Sequence, residues 1–167
     1  MLQSAARISS AAATSPNSAN DASVAACFEG EIAAAAAVRR TEAQLVALDD
    51  AWQRIADLER LDDPGERARG YRLRNREYHL VLHRMSHSRL MADLSRQMWD
   101  LSDFLVTTIG GIERLSDSLH HRNHDHDVIR IAVRSRNPDV ARAAMESHIV
   151  GTVAAFSAPR AQEREAG

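Results

Sequence analysis

Asn75, His79, His126 and His148 are the residues of this chain whose types and placement could do chemistry. Asn75 and His79 lie one helical turn apart in Asn75-Arg76-Glu77-Tyr78-His79. His126 and His148 stand in two later segments, Asp125-His126-Asp127-Val128-Ile129 and Met145-Glu146-Ser147-His148-Ile149. Each sits within a helical pattern. An imidazole nitrogen is a good ligand for zinc and other first-row metals, and an amide oxygen can complete such a set. Separate helices of a bundle can bring ligands to one inward-facing point. These residue types would suit a divalent metal at His79, His126 and His148, zinc first, with nickel and manganese as alternatives, though spacing alone favours the plainer reading. Asn75 is either the fourth ligand or a group that orients a ring or a bound water. Without a metal, the three histidines would be core or helix-surface residues.

The other candidates have plainer readings. His83 and His87 continue a His-x-x-x-His stripe from His79, a spacing that can chelate zinc, but the Glu of a metalloprotease motif is missing and they read as surface histidines. His120, His121 and His124 read as a solvated loop rather than a metal tract. Trp52, Trp99 and Tyr78 fall at inward positions, with Trp99 also placed to line a pocket. Cys27 reads as a small buried apolar residue with no base partner. Arg39 and Arg40 read as a solvated helix end. Glu77 and Glu146 point off the faces of His79 and His148, so no general base stands beside the site.

Helices must position these residues. The pattern turns helical near Ser23, with Phe28, Ile32, Ala35 and Ala36 at helical spacing. Thr41 and Gln44 form a capping box that opens a second helix, with Leu45, Leu48, Trp52, Ile55 and Leu58 inward. Leu61-Asp62-Asp63-Pro64-Gly65 is a turn, with Pro64 in the first turn of a third helix running from about Glu66 to Met85. Leu90, Leu94, Met98, Leu101 and Leu105 mark the inward face of a fourth, ending near Gly110-Gly111. A fifth runs from about His124 to Arg136. Asn137-Pro138-Asp139 opens the last, as cap, first helical residue and dipole-matched acid, and it runs to about Phe156. No segment alternates with period two. The expected fold is all-α, an antiparallel bundle of six to seven helices around a central metal or ligand pocket, over residues 23–158. Residues 1–22 and 159–167 are expected to be disordered tails.

At 167 residues and net charge −2, the chain has the size of one domain and is not a polyanion binder. All 21 basic residues are arginine, and no basic stripe is interleaved with aromatics, so the pattern argues against direct nucleic-acid binding. One cysteine excludes an internal disulfide framework and suits a reducing, cytoplasmic setting. No run approaches the roughly 20 apolar residues of a membrane span.

Four segments in order resemble one family. Phe28-Glu29-Gly30 with Ala35-Ala36-Ala37-Val38-Arg39-Arg40-Thr41 looks like its first helix. Tyr78-His79 with Leu82, Ser86 and Leu90 looks like its Phe-His segment. Asp125-His126-Asp127-Val128-Ile129 and Asn137 to Ile149 are similar to its Glu-His-x-x-Ile and its closing helix. The chain thereby resembles the FCD domain, the C-terminal effector-binding and dimerisation domain of FadR-type GntR transcription regulators. The resemblance implies that His79, His126 and His148 are metal histidines and that Asn75 stands where an aspartate is usual. It also implies a small carboxylic-acid effector above the metal. Trp99 and Thr107 are the candidate effector contacts. Ala25 stands where an effector-contacting arginine is common, and the middle of the fourth helix shows Thr107 and Thr108 in place of another.

The function expected is ligand sensing and homodimerisation without catalysis, by a domain that modulates DNA binding through a winged-helix reader. That reader is not visible in this sequence. The alternatives are a stand-alone metal-dependent enzyme, or a dimerisation module that modulates full-length regulators.

Overall fold

Alanine decides how the first helix packs. The structure, a computed structural model, describes residues 16–109 and 119–157, with side chains over 23–100 and 119–154. Helix α1, Pro16–Arg39, lays Ala26, Ala33, Ala36 and Ala37 along a buried seam. Small side chains let two helix axes approach closely. Its main neighbour is α6, Pro138–Ser157, which brings Ala141, Met145 and Ile149 to the same core. The seam is tight at Gly30, where an added Cβ would fall 2.8 Å from Cγ of Glu146.

Between them in sequence lie α2 (Glu42–Ala56), a 3-10 turn (Asp57–Arg60), α3 (Pro64–Met85), α4 (Arg89–Ile109) and α5 (Leu119–Arg134). Six α-helices and no strand make up the described residues, so the all-α expectation holds. The core joins Leu45, Leu48 and Ile55 of α2, Tyr71, Tyr78, Leu82 and Met85 of α3, and Ile129 and Val133 of α5. Arg130 ties α5 to α2, bonding Asp49 at 2.8 Å while its guanidinium lies over Trp52, 4.5 Å from the ring centroid. No helix among the described residues is long and apolar enough to cross a membrane.

The local stop and start signals act as expected. Thr41 and Gln44 exchange both bonds of a capping box. Asp63 caps α3 ahead of Pro64. Asn137 Oδ1 accepts from the Val140 amide at the start of α6. The α5–α6 turn closes by a Schellman pattern, Asn137 N–H to Ala132 and Arg136 N–H to Val133, with Arg136 in the left-handed region at φ 54°.

Several boundaries and faces differ from the sequence reading. Helix α1 begins at Pro16 rather than near Ser23, because proline suits a first helical position and the small residues after it do not interrupt the helix. Helix α5 begins at Leu119, so His120, His121 and His124 lie on its solvent side rather than in a loop. On α4 the leucine stripe does not face inward. Leu90 is 70% and Leu94 is 42% exposed, while Ser95 is fully buried. The helix is turned so that Ser95 and Trp99 reach a buried acid on α1, and that polar demand overrides the leucine pattern. Side chains at Leu101 and Leu105 and the expected helix end at Gly110-Gly111 lie outside the described residues. Cys27 is exposed rather than buried.

Arg40 is buried rather than solvated. It donates to the carbonyls of Val133 (3.1 Å) and Arg134 (2.6 Å) at the C-terminus of α5, where terminal carbonyls lack helical partners. Arg40→Met is expected to lower the free energy of unfolding by about 2 kcal/mol, since charged hydrogen bonds to buried groups are worth roughly 1.5–3 kcal/mol. Arg60→Met, at an exposed pair, should stay within about 0.5 kcal/mol. Urea denaturation of both variants checks this, and equal costs would remove the capping role from Arg40.

Candidate metal centre

Three helices supply the three imidazoles. His79 comes from α3, His126 from α5 and His148 from α6. All are buried, and one ring nitrogen from each lies within 4.8 Å of the others. Ring centroids are separated by 4.4 Å (His126–His148), 5.6 Å (His79–His148) and 5.8 Å (His79–His126). Tyr78 holds α5 at this level, its hydroxyl donating to the His126 carbonyl at 2.8 Å.

The hydrogen bonds around the rings select which nitrogens face one another. His79 Nδ1 lies 3.4 Å from Glu29 Oε2, and His148 Nδ1 lies 3.4 Å from Asp125 Oδ2. A carboxylate on one nitrogen leaves the other with its lone pair, as in carboxylate–histidine–metal arrangements. His79 Nε2 and both nitrogens of His126 are buried with no hydrogen-bond partner in the protein. Buried polar atoms are otherwise almost always satisfied. Unpartnered imidazole nitrogens converging on one point fit a divalent metal with nitrogen ligands.

Asn75 lies one turn before His79 on α3 and is buried. Its Oδ1 accepts from the Tyr71 hydroxyl at 3.2 Å. Trp99, the other expected pocket residue with a described side chain, packs against His79 with ring centroids 4.6 Å apart and the planes tilted by 48°. The Thr107 side chain lies outside the described residues.

Two residues were misjudged or missed in the sequence. His83 is buried, not on the surface, with Nε2 3.1 Å from Glu29 Oε2 and 3.0 Å from Ser95 Oγ. Glu29 itself is a buried carboxylate on α1. It receives Trp99 Nε1–H at 3.0 Å and the Ser95 hydroxyl, and it meets His79 and His83. The available signal was an acid one turn from Ala26 and Ala33 on the alanine face of α1. Glu29, His79 and His83 could also group around a cation, but the Glu29 oxygens are already engaged by four donors. His87 is exposed, as expected.

Burial sets the charge of this centre. Burial alone would raise the Glu29 pKa, but hydrogen bonds and charge from His79 and His83 hold it well below the usual carboxylate range. His79 is pushed down to about 4 by burial, against the pull of Glu29. His126 is held well below its usual value by burial and by the neighbouring His148, His79 and Arg122. His148 is lowered by burial, opposed by Asp125. The rings are therefore neutral at physiological pH, the form that binds metal.

In the unfolded chain these rings take a proton near pH 6.5, and in the fold they stay neutral to lower pH. Between about pH 6.5 and pH 4 the unfolded state binds more protons, so the metal-free domain should lose stability as pH falls through that window. The slope is up to about 1.4 kcal/mol per pH unit for each ring. Urea midpoints across that range check this, with a shallower slope in His126→Phe. A flat profile in the wild type would mean that the rings are solvated.

A comparison with protein families matches residues 23–151 to the FCD domain. A comparison with curated proteins found no match. The matched span contains all three histidines and Glu29, and its helices are those that build the centre. The chain belongs to the FCD family, whose domains are the ligand-sensing part of GntR-family transcription regulators.

Proposed function

We propose that this domain senses a small carboxylic acid at a divalent metal held by His79, His126 and His148, and that occupancy biases the arrangement of a homodimer. The observation that carries the reading is the convergence of buried imidazoles from three helices, with His79 Nε2 and both nitrogens of His126 left without a hydrogen-bond partner. Asn75 is the candidate for a fourth, oxygen ligand, and its amide contributes no charge. When bound, the metal supplies a Lewis-acidic position for a carboxylate oxygen. Glu29 and Asp125 orient His79 and His148. Trp99 walls the site beside His79. The outward Leu90 and Leu94 of α4 are an apolar stripe suited to a second copy. An acid that favours one dimer arrangement shifts the population toward it. In a cytoplasmic regulator that shift changes the spacing of the DNA readers.

Metal content by mass spectrometry on untagged protein tests the centre. About one equivalent of zinc is expected in the wild type and almost none in His126→Ala or His148→Ala. Little metal in the wild type after reconstitution would sink the proposal. Asn75→Asp, which adds a charged ligand, should tighten zinc by about tenfold or more, read by chelator competition. With zinc bound, a matching acid should raise the melting temperature, and a broad acid panel with no shift would count against sensing.

A further inference from the structure

Helix α4 rests on polar contacts where the other five helices rest on apolar ones. None of its described residues belongs to the buried apolar core, to which α1, α2, α3, α5 and α6 all contribute. Among its described side chains only Ser95 is buried, and Leu90 and Leu94 face out. The helix packs chiefly on α3 and α1, and its inward hydrogen bonds meet at one carboxylate. The Ser95 hydroxyl and Trp99 Nε1–H both donate to Glu29 Oε1, and Ser95 Oγ also lies 3.0 Å from His83 Nε2. A helix held with so little buried apolar area opens at a lower free-energy cost than the body it rests on.

The same carboxylate orients a metal histidine. Its other oxygen, Oε2, meets His83 Nε2 at 3.1 Å and His79 Nδ1 at 3.4 Å. The two oxygens of Glu29 therefore serve different helices, Oε1 for α4 and Oε2 for the histidines of α3. His79 Nε2 has no partner in the protein. A metal taken up there fixes the ring proton on Nδ1 and aims it at Glu29. A carboxylate pinned in this way on Oε2 keeps Oε1 turned toward Ser95 and Trp99. With α4 lifted away, Glu29 loses two of its four donors and is a looser guide for the His79 ring.

We propose that Ser95 and Trp99 are positioning residues for the three-histidine centre, acting through Glu29, so that filling the centre fixes α4 on the bundle and loosening α4 weakens the metal. The inference rests on the metal centre proposed above and adds which helix responds to its occupancy. The coupling is reciprocal: the factor by which zinc favours the seated helix is the factor by which the seated helix favours zinc. Because α4 also carries Leu90 and Leu94, its seating decides where that apolar stripe lies.

The test reads zinc affinity by chelator competition and amide hydrogen exchange of α4 on the same proteins. In the wild type, zinc should slow exchange over residues 90–100 by about fivefold or more. Ser95→Ala and Trp99→Phe each remove one donor to Glu29 and leave every histidine in place. Each should weaken zinc by roughly three- to tenfold, the weight of one net hydrogen bond. Asp93→Asn, at an exposed position of α4, should stay within about twofold. Glu29→Gln should weaken zinc by about tenfold or more and abolish the zinc-dependent slowing of α4. If that variant does not fold, the two α4 variants carry the comparison. Unchanged or tighter zinc in both of them overturns the coupling and leaves the metal centre standing. So does α4 exchange that is indifferent to zinc in the wild type, or an equal loss in Asp93→Asn. A wild type that binds no zinc overturns the metal centre, and the coupling with it.

Discussion

The cost of burying charge organises this domain. Glu29 is a carboxylate inside a helical bundle, and an isolated buried carboxylate would take up a proton rather than remain ionised. It remains ionised because Trp99 and Ser95 reach it from α4 and His79 and His83 reach it from α3. These contacts fix the rotation of α4, the orientation of His79, and so the nitrogen that His79 presents to the other histidines. The exposed leucines of α4 follow from the same demand, because a helix turned to bring Ser95 and Trp99 inward must turn Leu90 and Leu94 outward.

The centre is a set of neutral bases kept unprotonated by burial. Tyr71, Tyr78, Ile129 and Met145 of the core are essentially inaccessible, like the rings themselves. The carboxylates of Glu29 and Asp125 stand one layer back, where they orient rings. Such a site has good ligands, little freedom to rearrange, and few alternatives for satisfying its nitrogens. That combination suits binding better than turnover. The acids nearest the rings are engaged in orienting them, and Glu77, beside His79 in sequence, is paired with Arg74 and Arg54 on the outer face of α3.

Arginine serves three roles here that its exposure in a typical protein would hide. Arg40 closes the end of α5, Arg130 links α5 to α2 across Trp52, and Arg122, one turn before His126, donates to Thr152 of α6. Two of these residues belong to α5, the helix that carries His126. The position of that histidine is therefore constrained by polar contacts at several levels as well as by its apolar face.

Much of the fold was legible from the chain itself, because helix limits depend on neighbours in sequence. The Thr41–Gln44 box, Asp63 before Pro64, and Asn137 before Pro138 act through hydrogen bonds closed within one turn. His79, His126 and His148 were singled out by their type and by the resemblance of the segments that carry them, and the fold brings their rings together. Asn75 was placed by its turn relative to His79. What tertiary structure alone decided was which polar residues are paired across helices. His83 and Arg40 looked like surface groups because nothing near them in sequence could satisfy them once buried; their partners lie on α1 and α5. Cys27 looked buried because its neighbours are apolar, yet it is exposed. Glu29 and Arg122 were passed over because a charge reads as solvent-facing until the donors or acceptors of distant helices are known. Local patterns specify where helices start and stop, and only the packed arrangement reveals which charges the interior can hold.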